Sequence, residues 1–281
     1  MKPIGLIFLI VCVNLSLVHS ENLMKDIYQF EINSSECNYE IWLNDIRIDI
    51  QLADVPIVYD MPINQWVKRG RNKLEIKLIP LSGKAELNLK AYFKLNICQG
   101  NYSGKVFSKN KILKNIETTS FIELKQKSKN VNLSTYLISE NFDANFQYSN
   151  PIFTELDSIS INKEELITLY KTLNSYFKNK DTLAILNLME FKMKGFSKSY
   201  QDSYENELER QLFFLKDLFG KKVEPVNYEN YNIKYFLNNK MVCLEDKNGD
   251  QPLFFSDGIE DSYIFYPFYF SIIGGKFQIV M

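Results

Sequence analysis

Between Asn72 and Ile79 the chain alternates strictly: Leu74, Ile76 and Leu78 fall on one face of an extended strand, and Lys73, Glu75 and Lys77 on the other. The same period of two runs through CNYEIWLND (37–45) and KAELNLKAYFKLNIC (84–98), and again in ETTSFIELKQ (117–126) and LSTYLISENFDANFQYS (133–149). Short turn clusters separate these runs, and helical periodicity of useful length is missing. Residues 21–150 therefore predict an antiparallel β-sandwich domain.

Near Pro151 the period changes. Asn162 followed three residues later by Glu165 has the spacing of a capping box, and Leu166, Leu169, Leu173 and Phe177 then recur at helical spacing. Asp181 is placed to cap a second helix ending near Gly195. A third carries Tyr204, Leu208, Leu212, Leu215 and Phe219 as a core stripe and stops at Gly220. After Pro225, the pairs Asn238-Asn239, Asn248-Gly249 and Gly274-Gly275 supply the positive φ angles of tight hairpins. Residues 151–281 thus predict an α+β domain of three helices followed by a curved antiparallel β-meander.

The first 20 residues stand apart. Lys2 precedes an apolar run from Ile4 to Val13, with Val18-His19-Ser20 as a small-residue cleavage context, which predicts a signal peptide at 1–20. The run is too short to span a bilayer, and no later segment is long and apolar enough to do so. A lipid anchor at Cys12 fits less well, because bulky Val11 precedes it. Periplasmic or secreted localisation follows, in a bacterial envelope. The sequons at Asn33, Asn101 and Asn132 are accounted for by chance in a chain rich in Asn.

Export changes the candidate chemistry. His19 is the only histidine, so the processed chain holds none, which excludes Ser-His-Asp and Cys-His nucleophiles and histidine zinc sites. Of the three remaining cysteines, Cys37 and Cys98 lie in strand-like runs at opposite ends of the sheet region and are the disulfide candidates. Cys243 reads as a buried small hydrophobe. No cofactor fingerprint occurs. EDKNGDQ (245–251) lacks the spacing and terminal glutamate of a calcium loop and reads as a hairpin turn.

A net charge of −1 rules out a global field for nucleic acid, so the basic knot Lys68-Arg69-Gly70-Arg71 beside Trp66 must act locally. It reads as a charged turn at a strand entry and, with Trp66, as a binding candidate. Trp42 and Trp66 also offer an aromatic platform for sugar, against the alternative that both fill the core. In the closing segment, Asp257, Glu260, Asp261 and Tyr263 are binding candidates, with Tyr266 and Tyr269 nearby. A buried carboxylate there would serve as a general base. The run DSYENELER (202–210) offers an acidic helix face.

Two resemblances extend this reading. Leu43-Asn44-Asp45, followed by Gly70-Arg71-Asn72-Lys73-Leu74-Glu75-Ile76, is similar to the turn and strand entry of galactose-binding-like jelly-roll accessory domains. There Gly70 permits a tight turn and Asn72 bonds its backbone; the likeness carries no sugar-binding residue across. The order of elements in 151–281 resembles cystatin-like or nuclear-transport-factor-like α+β cones, which wrap a bent sheet around a long helix and often enclose a pocket. The whole resembles bacterial periplasmic immunity-type proteins. These likenesses imply an exported, non-catalytic protein whose partner is another protein, a toxin or effector. A carbohydrate-binding sandwich and a small-molecule or enzymatic cone are the alternatives.

Overall fold

The computed structural model describes residues 24–103, 106–118, 121–123, 133–257 and 263–281. The fold is a β-rich α+β arrangement in which every described strand pair is antiparallel. It divides into two compact units at Ser149/Asn150.

The N-terminal unit contains eight described strands: β1 (Met24–Ser35), β2 (Asn38–Leu43), β3 (Ile46–Gln51), β4 (Ile57–Pro62), β5 (Gly70–Ile79), β6 (Tyr92–Ser103), β7 (Val106–Glu117) and β8 (Tyr136–Ala144). They form two four-stranded sheets, ordered β4-β1-β6-β7 and β3-β2-β5-β8. Phe30, Ile32, Phe93, Leu95 and Ile97 from the first share one apolar cluster with Tyr39, Ile41, Leu74, Ile76 and Leu78 from the second. The alternation of β5 is thus resolved as expected: its three aliphatics are fully buried, and Lys73, Glu75 and Lys77 face away. Two expected strands change. In 84–98 the strand begins only at Tyr92, because Asn88 folds a turn: its Oδ1 accepts from Lys90 N at 2.9 Å and its carbonyl from Ala91 N at 2.9 Å. In 117–126, residues 121–123 are helical, with Phe121 fully buried.

The C-terminal unit opens with α1 (Lys163–Asn179). Asn162 Oδ1 accepts from Glu165 N at 2.9 Å and Glu165 Oε2 from Asn162 N at 3.2 Å, closing the capping box. Its core stripe runs Leu166, Tyr170, Leu173 and Phe177, with Tyr170 taking the place expected of Leu169. The expected second helix is two: α2 (Thr182–Leu188), capped by Asp181, and α3 (Glu190–Tyr200), with the break at Met189. Gly195 does not end it. A Cβ there would lie 2.7 Å from Asn150 Oδ1, so glycine serves a close approach inside the helix. Gly195→Ala is expected to destabilise by about 1–2 kcal/mol, the steric cost exceeding the helix-propensity gain, as read from the urea midpoint. Helix α4 (Tyr204–Leu218) follows, capped by Ser203 Oγ.

Behind the helices lie two sheets instead of one meander. One is ordered β10 (Asn232–Phe236), β11 (Met241–Glu245), β14 (Phe270–Ile273), β15 (Lys276–Ile279). The other is ordered β13 (Tyr263–Phe265), β12 (Phe254–Ser256), β9 (Lys222–Val223). Asn238-Asn239 and Gly274-Gly275 close hairpins with positive φ, as expected. Asn248-Gly249 turns the chain without joining paired strands. Asp246 Oδ1 there accepts from Asn248 N and Asp250 N, at 2.8 and 2.9 Å. Gln251 then fixes the departure from the sheet: its buried Oε1 accepts from Tyr170 Oη at 2.9 Å and from Phe268 N at 2.8 Å. Phe177 packs edge-on against Phe255, and Tyr170 against Phe270, so aromatic side chains occupy the space between α1 and the strands.

Candidate functional site

The basic knot sits where β5 begins. Ile63 and Val67, both fully buried, anchor the 3-10 turn Asn64–Trp66 that leads into it. Gly70 takes φ +84°, a left-handed conformation that a side chain would strain. Asn72, fully buried, ties the loop together. Its Oδ1 accepts from Lys68 N at 2.9 Å and from Asn44 Nδ2 at 2.8 Å; its Nδ2 donates to the carbonyls of Lys68 and Gly70, both at 2.9 Å. Asn44 lies in the β2–β3 turn, where it and Asp45 have φ of +53° and +63°. It reaches across to the Trp66 carbonyl at 2.8 Å, and Arg69 N donates to Ser149 Oγ at 2.9 Å. Two turns far apart in sequence are stitched into one rigid corner.

On that corner Trp66 is half-buried against the core and Lys68 is half-buried, while Arg69 and Arg71 are exposed. Neither guanidinium forms an ion pair among the described residues, although Asp143 stands opposite Arg71 in the β5–β8 ladder. Two planar guanidinium donors on a hydrogen-bonded backbone suit bidentate recognition of carboxylates, with the backbone share of the ordering cost already met. Trp42 lies elsewhere, on the outward face of its sheet. Its indole N–H reaches Glu40 Oε2 at 3.4 Å and Arg47 sits 6.0 Å from its ring centroid.

Asp257 is exposed in the C-terminal unit, and Glu260, Asp261, the side chain of Tyr263 and the signal-like segment 1–20 lie outside the described residues. Tyr266 packs on Phe214 with ring centroids 4.3 Å apart, and Tyr269 is buried edge-on to Phe236. Half of the acidic run DSYENELER turns inward: Asp202 and Glu207 each hold Arg210 at 2.7 Å, which leaves Glu205 and Glu209 outward.

The expected Cys37–Cys98 disulfide is absent; both are free, buried thiols. Cys37 Sγ donates to the Tyr92 carbonyl at 3.6 Å, whereas Cys98 lies six positions further along the same strand, opposite Gln29. At about 3.3 Å per residue that is roughly 20 Å, far beyond disulfide reach. Burial pushes both thiols up to about 11, with the Glu31 charge adding at Cys98, so neither is a thiolate nucleophile at neutral pH. Cys243 is fully buried, as expected.

One group gives no signal in the sequence. Asp49 of β3 points inward with Ile41 and accepts a short hydrogen bond from Tyr59 Oη of β4; Tyr39 Oη contacts Tyr59 Oη at 3.4 Å. Burial raises the Asp49 carboxyl to about 6, although the tyrosine hydroxyls favour its charged form. Burial and the Asp49 charge push both tyrosines well above their usual range. Between about pH 4 and 6 the folded protein holds a proton that the unfolded chain has released. Stability therefore falls as pH rises through that window, by on the order of 3 kcal/mol. Asp49→Asn is expected to flatten the fall, as measured by urea midpoints at the two ends of the window.

Among the described residues, no group of three or more His, Cys, Asp or Glu is placed to hold a metal ion, and no helix is long and apolar enough to cross a membrane. No family model, curated protein or solved structure matches this chain.

Proposed function

We propose that this chain is an exported protein of the bacterial envelope that works by binding another protein and performs no chemistry of its own. Its specific form, on this reading, is an immunity-type protein that neutralises a secreted toxin or effector. The N-terminal unit is read as a jelly-roll-like sandwich and the C-terminal unit as a cone-like α+β domain. The observation that carries the proposal is the corner at Lys68–Asn72. Arg69 and Arg71 stand exposed, without ion pairs among the described residues, on a backbone that Asn72, Asn44 and Ser149 hold in place. Rigid backbone under exposed arginines lowers the ordering cost of binding, and arginine is enriched where interfaces concentrate their energy.

The partner surface is accordingly acidic. The net charge of −1 confines attraction to this corner, so association depends on salt and on orientation. This differs from a partner docked on DSYENELER, whose acidic face is halved by Arg210. The test is affinity capture from envelope extract with the tagged processed chain, followed by mass spectrometry. A stoichiometric protein partner is the expected result. Clean recovery of glycan with no protein would sink the proposal.

A further inference from the structure

The outward face of α4 carries Glu205, Glu209, Leu212, Phe213, Lys216 and Asp217, the spacing of a single helical stripe. The sequence pattern assigns Leu212 to the core, yet it is 40% exposed and Phe213 is 72% exposed; on neighbouring α2, Leu183 is 70% exposed. Large apolar side chains so placed, on a helix whose opposite face already packs a core, call for a covering surface. Beside them runs a shallow groove of about 390 Å³, with Leu212, Leu215 and Phe219 as its apolar walls and Lys180 and Lys216 among its polar ones.

The charges on the stripe say what covers it. Glu209 and Lys216 lie equally far from the midpoint between Leu212 and Phe213, one on each side. Two copies of α4 laid antiparallel about that midpoint place each Glu209 opposite the other's Lys216, roughly 10 Å apart along the axis for the pair in one copy. The same register sets Phe213 against Leu212 of the other copy, beside its groove. Glu205 then faces Gly220, which offers no side chain to oppose it. Neither Glu209 nor Lys216 is held in an ion pair among the described residues. Lys221 instead holds Asp217 at 3.7 Å, which partly offsets the like-signed charge that would sit beside Glu209 of the second copy's pair.

We infer that the α4 face is a self-complementary surface through which two copies of this chain associate as a two-fold symmetric, antiparallel helix pair. An isologous contact requires the same patch to complement itself, and a stripe that runs from acid through apolar to base meets that requirement only in the antiparallel sense. A parallel pairing would bring Glu209 to Glu209 and Lys216 to Lys216. A single helix pair buries little area, so the dimer is weak and appears only at high concentration. The inference is independent of the partner proposed above, which uses the other unit.

Sedimentation equilibrium of the processed chain, at concentrations up to about 1 mM, tests it. The wild type is expected to associate reversibly to a dimer. Glu209→Lys and Lys216→Glu singly are each expected to weaken it about tenfold, since every dimer then holds two like-charged pairs. The double variant restores the pairs with their signs exchanged and is expected to recover the wild-type affinity. Phe213→Ser is expected to abolish association while leaving the melting curve in place, because the ring is mostly outside the core. A wild type that stays monomeric throughout overturns the inference, as does a double variant no tighter than either single one.

Discussion

Asn72→Ala is expected to lower the stability of the N-terminal unit by about 3 kcal/mol. The change takes nothing from the apolar core, since alanine fits an extended strand. What it removes is a fully buried amide whose four hydrogen bonds hold a partly buried corner together. Lys68 N–H loses its acceptor, Asn44 Nδ2 keeps only the Trp66 carbonyl, and the carbonyls of Lys68 and Gly70 lose their donor. The measurement is the urea midpoint at unchanged slope, so that compactness is held constant. Asn72→Asp should cost still more, because it keeps the acceptor role but buries a charge. A loss under about 1 kcal/mol for the alanine variant would mean that the corner is held by something other than Asn72.

The double variant Arg69→Ser/Arg71→Ser is expected to do the reverse: to leave the melting curve where it was and to weaken partner binding by about 100-fold or more. Both side chains are exposed, and the hydrogen bonds that fix the corner come from the backbone and from Asn72, Asn44 and Ser149. Adding Lys68→Ser should also leave the fold intact, with a small loss from its half-buried stem. The two predictions are coupled. Asn72→Ala, which touches neither arginine, should also reduce binding in whatever fraction remains folded, because the guanidiniums then sit on a loosened loop.

The turn from Lys68 to Asn72 was legible from sequence because its own hydrogen bonds are local, whereas its ties to Asn44 and Ser149, 28 and 80 positions away, were not. Strict alternation sorts the two faces of β5, a glycine before it permits the turn, and an asparagine two residues on can reach its own backbone. Asp49 was hidden for the opposite reason. In IRIDIQ, period-two counting places Asp49 on the same outward face as Arg47. A register shift opposite Ile41/Trp42 leaves Ile48 as an extra residue, so Arg47 pairs with Trp42 outside while Asp49 pairs with Ile41 inside. Its partner Tyr59 then comes from the other sheet. Gly195 misled in a similar way: glycine reads as a helix end, but here it answers a side chain 45 positions earlier in the chain, Asn150. The cysteines show the limit of pairing by segment. Both lie at strand-like runs, and only the register of β1 on β6 reveals that they sit at different levels of the sheet. The exposure of Leu212 and Phe213 likewise depends on which helix faces turn inward, which periodicity alone leaves open by one residue's rotation.

On the proposed reading, the arginine-bearing corner of the N-terminal unit binds an acidic protein partner. The most direct measurement is a pair of binding isotherms for the partner recovered by capture, one with the wild type and one with Arg69→Ser/Arg71→Ser, each at low and at physiological salt. Wild-type affinity is expected to fall as salt rises, and the double variant, with an unchanged melting curve, is expected to bind about 100-fold more weakly with little salt dependence left. Equal affinities for the two proteins, at either salt concentration, would contradict that reading.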